Sequence, residues 1–175
     1  MLMSVQGDIS SKPDWEETLN STRIGASWKL MNWDTLEMSL SRPFQSTFET
    51  GVGQLLLDMR GNRAQDFADH IQAVRSTLIA PLAAASMESY SRAYDPLVKL
   101  HMLHEMEVAF RTWNSESSDN EALGEIRMGT PGRLYINRLK SYEARLAQRL
   151  DSMAPSFRVR EQVLRLRRIA FYDLR

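Results

Sequence analysis

The 175 residues contain no cysteine, which removes disulfide frameworks, thiolate metal sites and cysteine nucleophiles together and fits a reducing compartment. No apolar run approaches the roughly 20 residues of a membrane span. The opening Met1-Leu-Met-Ser-Val-Gln-Gly-Asp lacks the basic and apolar regions of a secretory signal. A soluble intracellular chain with no membrane partner is therefore expected, and the sequon Asn20-Ser21-Thr22 reads as chance. Alternation of apolar and polar residues, which a strand needs, is almost missing. Catalytic constellations are missing as well. A phosphoryl-transfer site needs a glycine-rich loop over the phosphates, a lysine on a strand, an aspartate for the acceptor hydroxyl and a second acid for magnesium. Gly51-Val52-Gly53 lies inside an apolar helical stripe with no strand before it, and Gly129-Thr130-Pro131-Gly132 lacks the Lys and Ser/Thr that complete a P-loop. Both read as structural glycines, so no catalytic, cofactor-binding or metal residue is assigned.

Helical periodicity fills the space these absences leave. A first helix is expected from Asp14 to about Met31 with Trp15, Leu19, Ile24, Trp28 and Met31 as core candidates, and a short second one over Asp34 to Leu40. Trp28 and Trp33, five apart across that helix end, are placed to wedge between the two helices. After Pro43, Phe48, Val52, Leu55, Leu56 and Met59 fall at offsets 0, 4, 7, 8 and 11, which is one apolar stripe. Gly61-Asn62 ends that helix, and Phe67, Ile71, Val74 and Leu78 mark the next, up to Pro81. Pro81 and Pro96 each suit a first helical position, with Asp95 capping the second. They predict an alanine-rich helix through Ala83, Ala84 and Ala85, then a longer one from Pro96 to about Trp113 whose apolar side chains spread round its circumference. Residues 114–132 read as a mobile acidic loop, and residues 1–12 as a flexible N-terminus. Two helices, about Leu134 to Met153 and Ser156 to Leu174, close the chain. Short connections favour antiparallel neighbours, so the expectation is one all-α domain over residues 1–175. Its helical hairpins would stack as a TPR-like α-solenoid, although the strict 34-residue consensus is absent.

Residues 79–107, running from Ile79-Ala-Pro-Leu through Tyr94-Asp-Pro-Leu to His104-Glu-Met-Glu, carry the most specific information. They resemble the FAT domain of the phosphatidylinositol 3-kinase-related protein kinases, and within it the ATR type. Ala26-Ser27-Trp28-Lys29-Leu30-Met31-Asn32-Trp33-Asp34-Thr35-Leu36-Glu37 is similar to the Trp-containing helix pair of that family, Gly53-Gln54-Leu55-Leu56-Leu57 to the helix after it, and Arg158 to Ala170 to its Arg- and Leu-rich helix. The resemblance implies a non-catalytic scaffold segment of a serine/threonine protein kinase in DNA-damage and replication checkpoint signalling. The catalytic module, with its ATP and magnesium, would lie outside the chain. It also implies a nuclear location, contacts with that module and with neighbouring repeats, an ATRIP-type partner and homodimer contacts. The other reading is a free-standing repeat adaptor that holds a peptide or a partner helix. Trp15, Leu19 and an end at Phe171-Tyr172-Asp173-Leu174-Arg175 without a polar closing helix favour an array cut from something longer.

Charge supplies the only candidate surface. Residues 1–132 hold 11 basic and 18 acidic side chains, whereas 133–175 hold 11 and 4, so the two stretches carry −7 and +7. Arg158, Arg160, Arg165, Arg167 and Arg168 cluster near Phe157, Phe171 and Tyr172. Such a cluster could track phosphates. The favoured reading is that its stems cover apolar neighbours and its heads pair with acidic faces, and direct nucleic-acid binding is a minor alternative. His101, His104, Glu105 and Glu107 are the best metal candidates, but His101 and His104 stand at i and i+3, not in the His-Glu-x-x-His order. His104 and Glu105 are expected on a polar edge, and His70 is too remote in sequence to be assumed a third ligand. Four tryptophans and ten methionines are read as core and gap-filling side chains, not as a cofactor box.

Overall fold

The computed structural model describes residues 13–122 and 142–173, all of them helical or in short connections with no strand among them. In chain order the helices are α1 (Pro13–Lys29), α2 (Trp33–Leu40), α3 (Phe48–Arg60), α4 (Ala64–Glu88) and α5 (Tyr90–Ala122). They continue with α6 (142–151), α7 (Phe157–Arg168) and a π-helical turn over Ile169–Asp173. The all-α expectation holds. The chain divides into two compact units whose boundary, between Val74 and Arg75, falls inside α4.

In the first unit α1 packs on both α2 and α3, and α2 on α3. The turn from α1 to α2 is a Schellman-type stop: the N–H of Asn32 donates to Ser27 O at 2.9 Å and that of Met31 to Trp28 O at 3.1 Å. Met31 takes the left-handed conformation this requires, with φ of 56°. Asn32 then caps α2, its Oδ1 accepting from the N–H of Thr35. α3 opens on a capping box, in which the N–H of Thr50 donates to Thr47 Oγ1 and the N–H of Thr47 donates to Thr50 Oγ1. Ile24, Trp28, Leu36, Val52, Leu55, Leu56, Met59, Phe67 and Ile71 form the buried core, so the predicted stripes of α3 and α4 are the ones that turn inward. Trp15 and Leu19, expected in the core, are 58% and 49% exposed.

A Cβ on Gly53 would lie 3.0 Å from Ile24 Cγ2 and 3.1 Å from Leu36 Cδ1, and one on Gly51 would lie 2.5 Å from Val74 Cγ2. Both glycines therefore serve close helix approach. Asn20 is buried and its amide donates to the carbonyls of Ser39 and Pro43 at 2.8 and 3.0 Å. The apparent sequon is thus a structural tie between α1 and the end of α2.

The second unit corrects two helix boundaries. Pro81 and Pro96 do not open helices; each lies inside one, α4 and α5 respectively. Strong helix formers surround Pro81, with Ala83, Ala84 and Ala85 just after it, and they carry the helix across the ring. The break falls at Ser89, whose N–H still donates to Ala85 O while its carbonyl accepts from the N–H groups of Arg92 and Ala93. Asp95, expected as a cap, pairs instead with Lys99 one turn later at 2.6 Å. α5 also runs to Ala122, where a loop was expected from 114. Residues 114–122 are polar but hold no glycine or proline, so nothing stops a long helix already nucleated. Residues 123–132, and the predicted flexible residues 1–12, lie outside the described residues.

α5 packs on α7 and on the π-helical turn. Val98, Met102, Leu103, Met106, Ala109 and Phe110 on α5, Val163 and Leu166 on α7, Ile169, Ala170 and Phe171 in the turn, and Leu146 on α6 are all buried. Among the described residues no helix is long and apolar enough to cross a membrane.

Candidate functional site

The five arginines nominated on sequence are not one surface. Arg167 turns inward: Nε and Nη2 donate to Glu105 Oε2 and Oε1 at 2.9 and 2.7 Å, and Nη2 also donates to Leu146 O at 3.1 Å. One side chain of α7 thereby ties α5 and α6 together. Arg160 Nη2 donates to Met153 O at 3.3 Å, and Arg165 pairs with Glu161 on the preceding turn. Arg158 and Arg168 are exposed. Pairing with acids and carbonyls thus takes up Arg160, Arg165 and Arg167.

Glu105 corrects the polar-edge expectation, since it is only 1% exposed. It stands at offset 7 on the stripe Val98, Met102, Glu105, Ala109, and that spacing was the signal that could have placed it inside. Burial pushes its carboxyl up, but the hydrogen bonds from Arg167 and the contact with His101, aided by both charges, hold it below its ordinary value. His101 Nε2 lies 3.3 Å from Glu105 Oε1. His104 is held below its ordinary value, first by burial and then by the Arg149 charge, with His101 and Arg75 adding to the effect and Glu107 opposing it. Glu107 in turn accepts from Arg75 of α4 and Arg111 of α5.

Guanidinium groups therefore occupy the carboxylates that a metal would need. Among the described residues no group of three His, Cys, Asp or Glu side chains is arranged to hold an ion. His70, judged too remote to join that set, belongs to a separate cluster that the sequence did not reveal. Its Nδ1 lies 2.7 Å from Oδ2 of the fully buried Asp58, whose Oδ1 accepts from Gln54 and from Arg63 Nε and Nη2. This cluster closes the α3–α4 turn, where Asn62 is left-handed with φ of 51°. Trp28 is 2% exposed with Lys29 over its ring, and Arg60 stacks over Trp33, so both rings are structural as expected. Gly129-Thr130-Pro131-Gly132 lies outside the described residues. What this arrangement can do chemically is bind helices to one another.

The family model for the FAT domain matches residues 20–174. The chain is 30% identical to the serine/threonine-protein kinase ATR of Arabidopsis thaliana over 98% of its own length and 6% of that protein. Identity to the serine/threonine-protein kinase ATR of Oryza sativa subsp. japonica is 29%, again over 98% of the chain and 6% of the relative. The serine/threonine-protein kinase TOR2 of Saccharomyces cerevisiae is 26% identical over 56% of the chain and 4% of the relative. The chain thus spans about 6% of the length of its ATR relatives. No solved structure matches it.

Proposed function

The chain belongs to the FAT domain family in its ATR-type form, and from that premise we propose that it is a non-catalytic scaffold segment of a serine/threonine protein kinase acting in DNA-damage and replication checkpoint signalling. The observation that carries this reading is the length of the match to ATR kinases, 98% of the chain. The interior supports it. Among the described residues the buried charges Asp58 and Glu105 are both matched to neighbouring side chains, which suits a rigid element better than a reacting centre. In this reading the hairpins stack as a TPR-like α-solenoid against neighbouring repeats and the kinase module, which supplies the ATP and magnesium chemistry. The parent works in the nucleus, with an ATRIP-type partner and homodimer contacts.

The transcript beyond codon 175 tests the proposal. An in-frame kinase catalytic core is expected. A stop codon directly after Arg175 would overturn it in favour of the free-standing adaptor that binds a protein partner.

A further inference from the structure

We propose that the outward face of α7 is a docking surface for an acidic amphipathic helix of a protein partner. The helix is two-faced. Val163 and Leu166 are buried on the side where α7 packs on α5, and Ile169 and Ala170 continue that side into the π-helical turn. Phe157 and Leu164 point the other way, 85% and 43% exposed. They stand seven residues apart, which sets them two turns and about 10 Å from each other along one line. A single exposed apolar residue is ordinary on a protein surface. Here an aromatic and an aliphatic anchor share a line with Glu161, Arg165 and Arg168, at offsets 0, 4, 7, 8 and 11.

Charge identifies the occupant. Arg158, Arg165 and Arg168 outnumber Glu161 on the exposed surface of this helix. A helix with its own apolar pair two turns apart, flanked by Asp and Glu, matches both the spacing of the anchors and the sign of the rim. Nucleic acid fits less well. Glu161 would face its phosphates, Arg167 is turned away into the core, and a phosphate backbone offers Leu164 nothing to pack on. The inference rests on the reading of this chain as an interaction scaffold, and it adds the chemistry of one partner.

Fluorescence anisotropy of the 175-residue chain with three labelled probes tests it: a peptide with leucines at i and i+7 flanked by glutamates, the same peptide scrambled, and an oligothymidine strand. The glutamate peptide is expected to bind, to weaken as salt rises, and to lose about tenfold or more in affinity with Phe157→Ala or Leu164→Ala. Both side chains are exposed, so helicity by circular dichroism is expected to stay unchanged in these variants. Arg158→Glu provides a charge variant that removes no apolar packing and is expected to weaken binding as well. Equal binding of the scrambled peptide, or indifference to all three substitutions, would overturn the surface. Tighter binding of oligothymidine through the same residues would assign the face to nucleic acid. A failed peptide with a kinase core encoded downstream sinks this surface alone, whereas a stop codon after Arg175 sinks the kinase reading and leaves the surface standing.

Discussion

Glu105 and Arg167 show at single-residue scale how this chain places charge in its interior. An ion taken out of water costs several kcal/mol, and mutual attraction offsets that only when geometry and further hydrogen bonds are both good. Both conditions hold here: the contact is bidentate, and the spare guanidinium N–H reaches Leu146 O. Removing one partner leaves the other buried and unmatched. Glu105→Ala is therefore expected to destabilise the fold by about 3 to 5 kcal/mol, and Arg167→Ala by a similar amount. The double variant Glu105→Leu with Arg167→Leu should recover most of that loss, because the buried neighbours on the same helices, Met102, Met106, Val163 and Leu166, are apolar and the ion pair no longer has to be desolvated. Urea denaturation of the three variants measures the coupling. Additive losses in the double variant would show that the two side chains act independently.

At the scale of elements, the stripes were legible, as were the stops at Met31 and at Gly61-Asn62, but the boundaries at Pro81, Pro96 and residue 114 were not. Val52, Leu55, Leu56 and Met59 on α3, and Phe67, Ile71 and Leu78 on α4, are buried as their spacing required. Period alone fixes which face of a helix turns inward. Pro81 and Pro96 look like helix starts because an interior ring costs about 3 kcal/mol, a cost that the rest of α4 and α5 outweighs. Residues 114–122 are polar in the manner of a loop, yet none of them breaks a helix. Charge and position on the stripe conflict at Glu105, where position decides burial, and the Asp58–His70 contact spans twelve residues and a turn that no local period marks. The stop at Met31 was predicted in place but not in kind. A non-glycine residue at φ of 56° carries roughly 1 to 2 kcal/mol of strain from its Cβ. Met31→Gly removes that strain and gives up only a half-buried side chain, so it is expected to raise stability by about 0.5 to 1 kcal/mol. A fall in the thermal midpoint instead would mean that Met31 packing outweighs its backbone.

For the chain as a whole, the cancelling charges give little hint of how stability should depend on pH, but two groups with lowered pKa values, Glu105 and His104, belong to the second unit. Glu105 has a folded pKa below its ordinary 4.5, so its contribution is complete above that value and is lost as pH falls through the folded one. His104 also has a folded pKa below its ordinary 6.5. The unfolded chain therefore takes up that proton first, and acid favours unfolding from about pH 6.5 downward until the folded state is protonated as well. Both groups act in the same direction but in separate windows. Stability of the second unit should be level above about pH 7, decline below 6.5, and decline again below 4.5. Hydrogen exchange of the α5 and α7 amides across this range resolves the two steps. His104→Gln should abolish the upper step and leave the lower one, since the amide cannot titrate and Glu105 keeps its arginine. Slower exchange on acidification, after correction for intrinsic rates, would mean that His104 gains a partner when protonated and that the neighbouring Glu107 outweighs burial and Arg149.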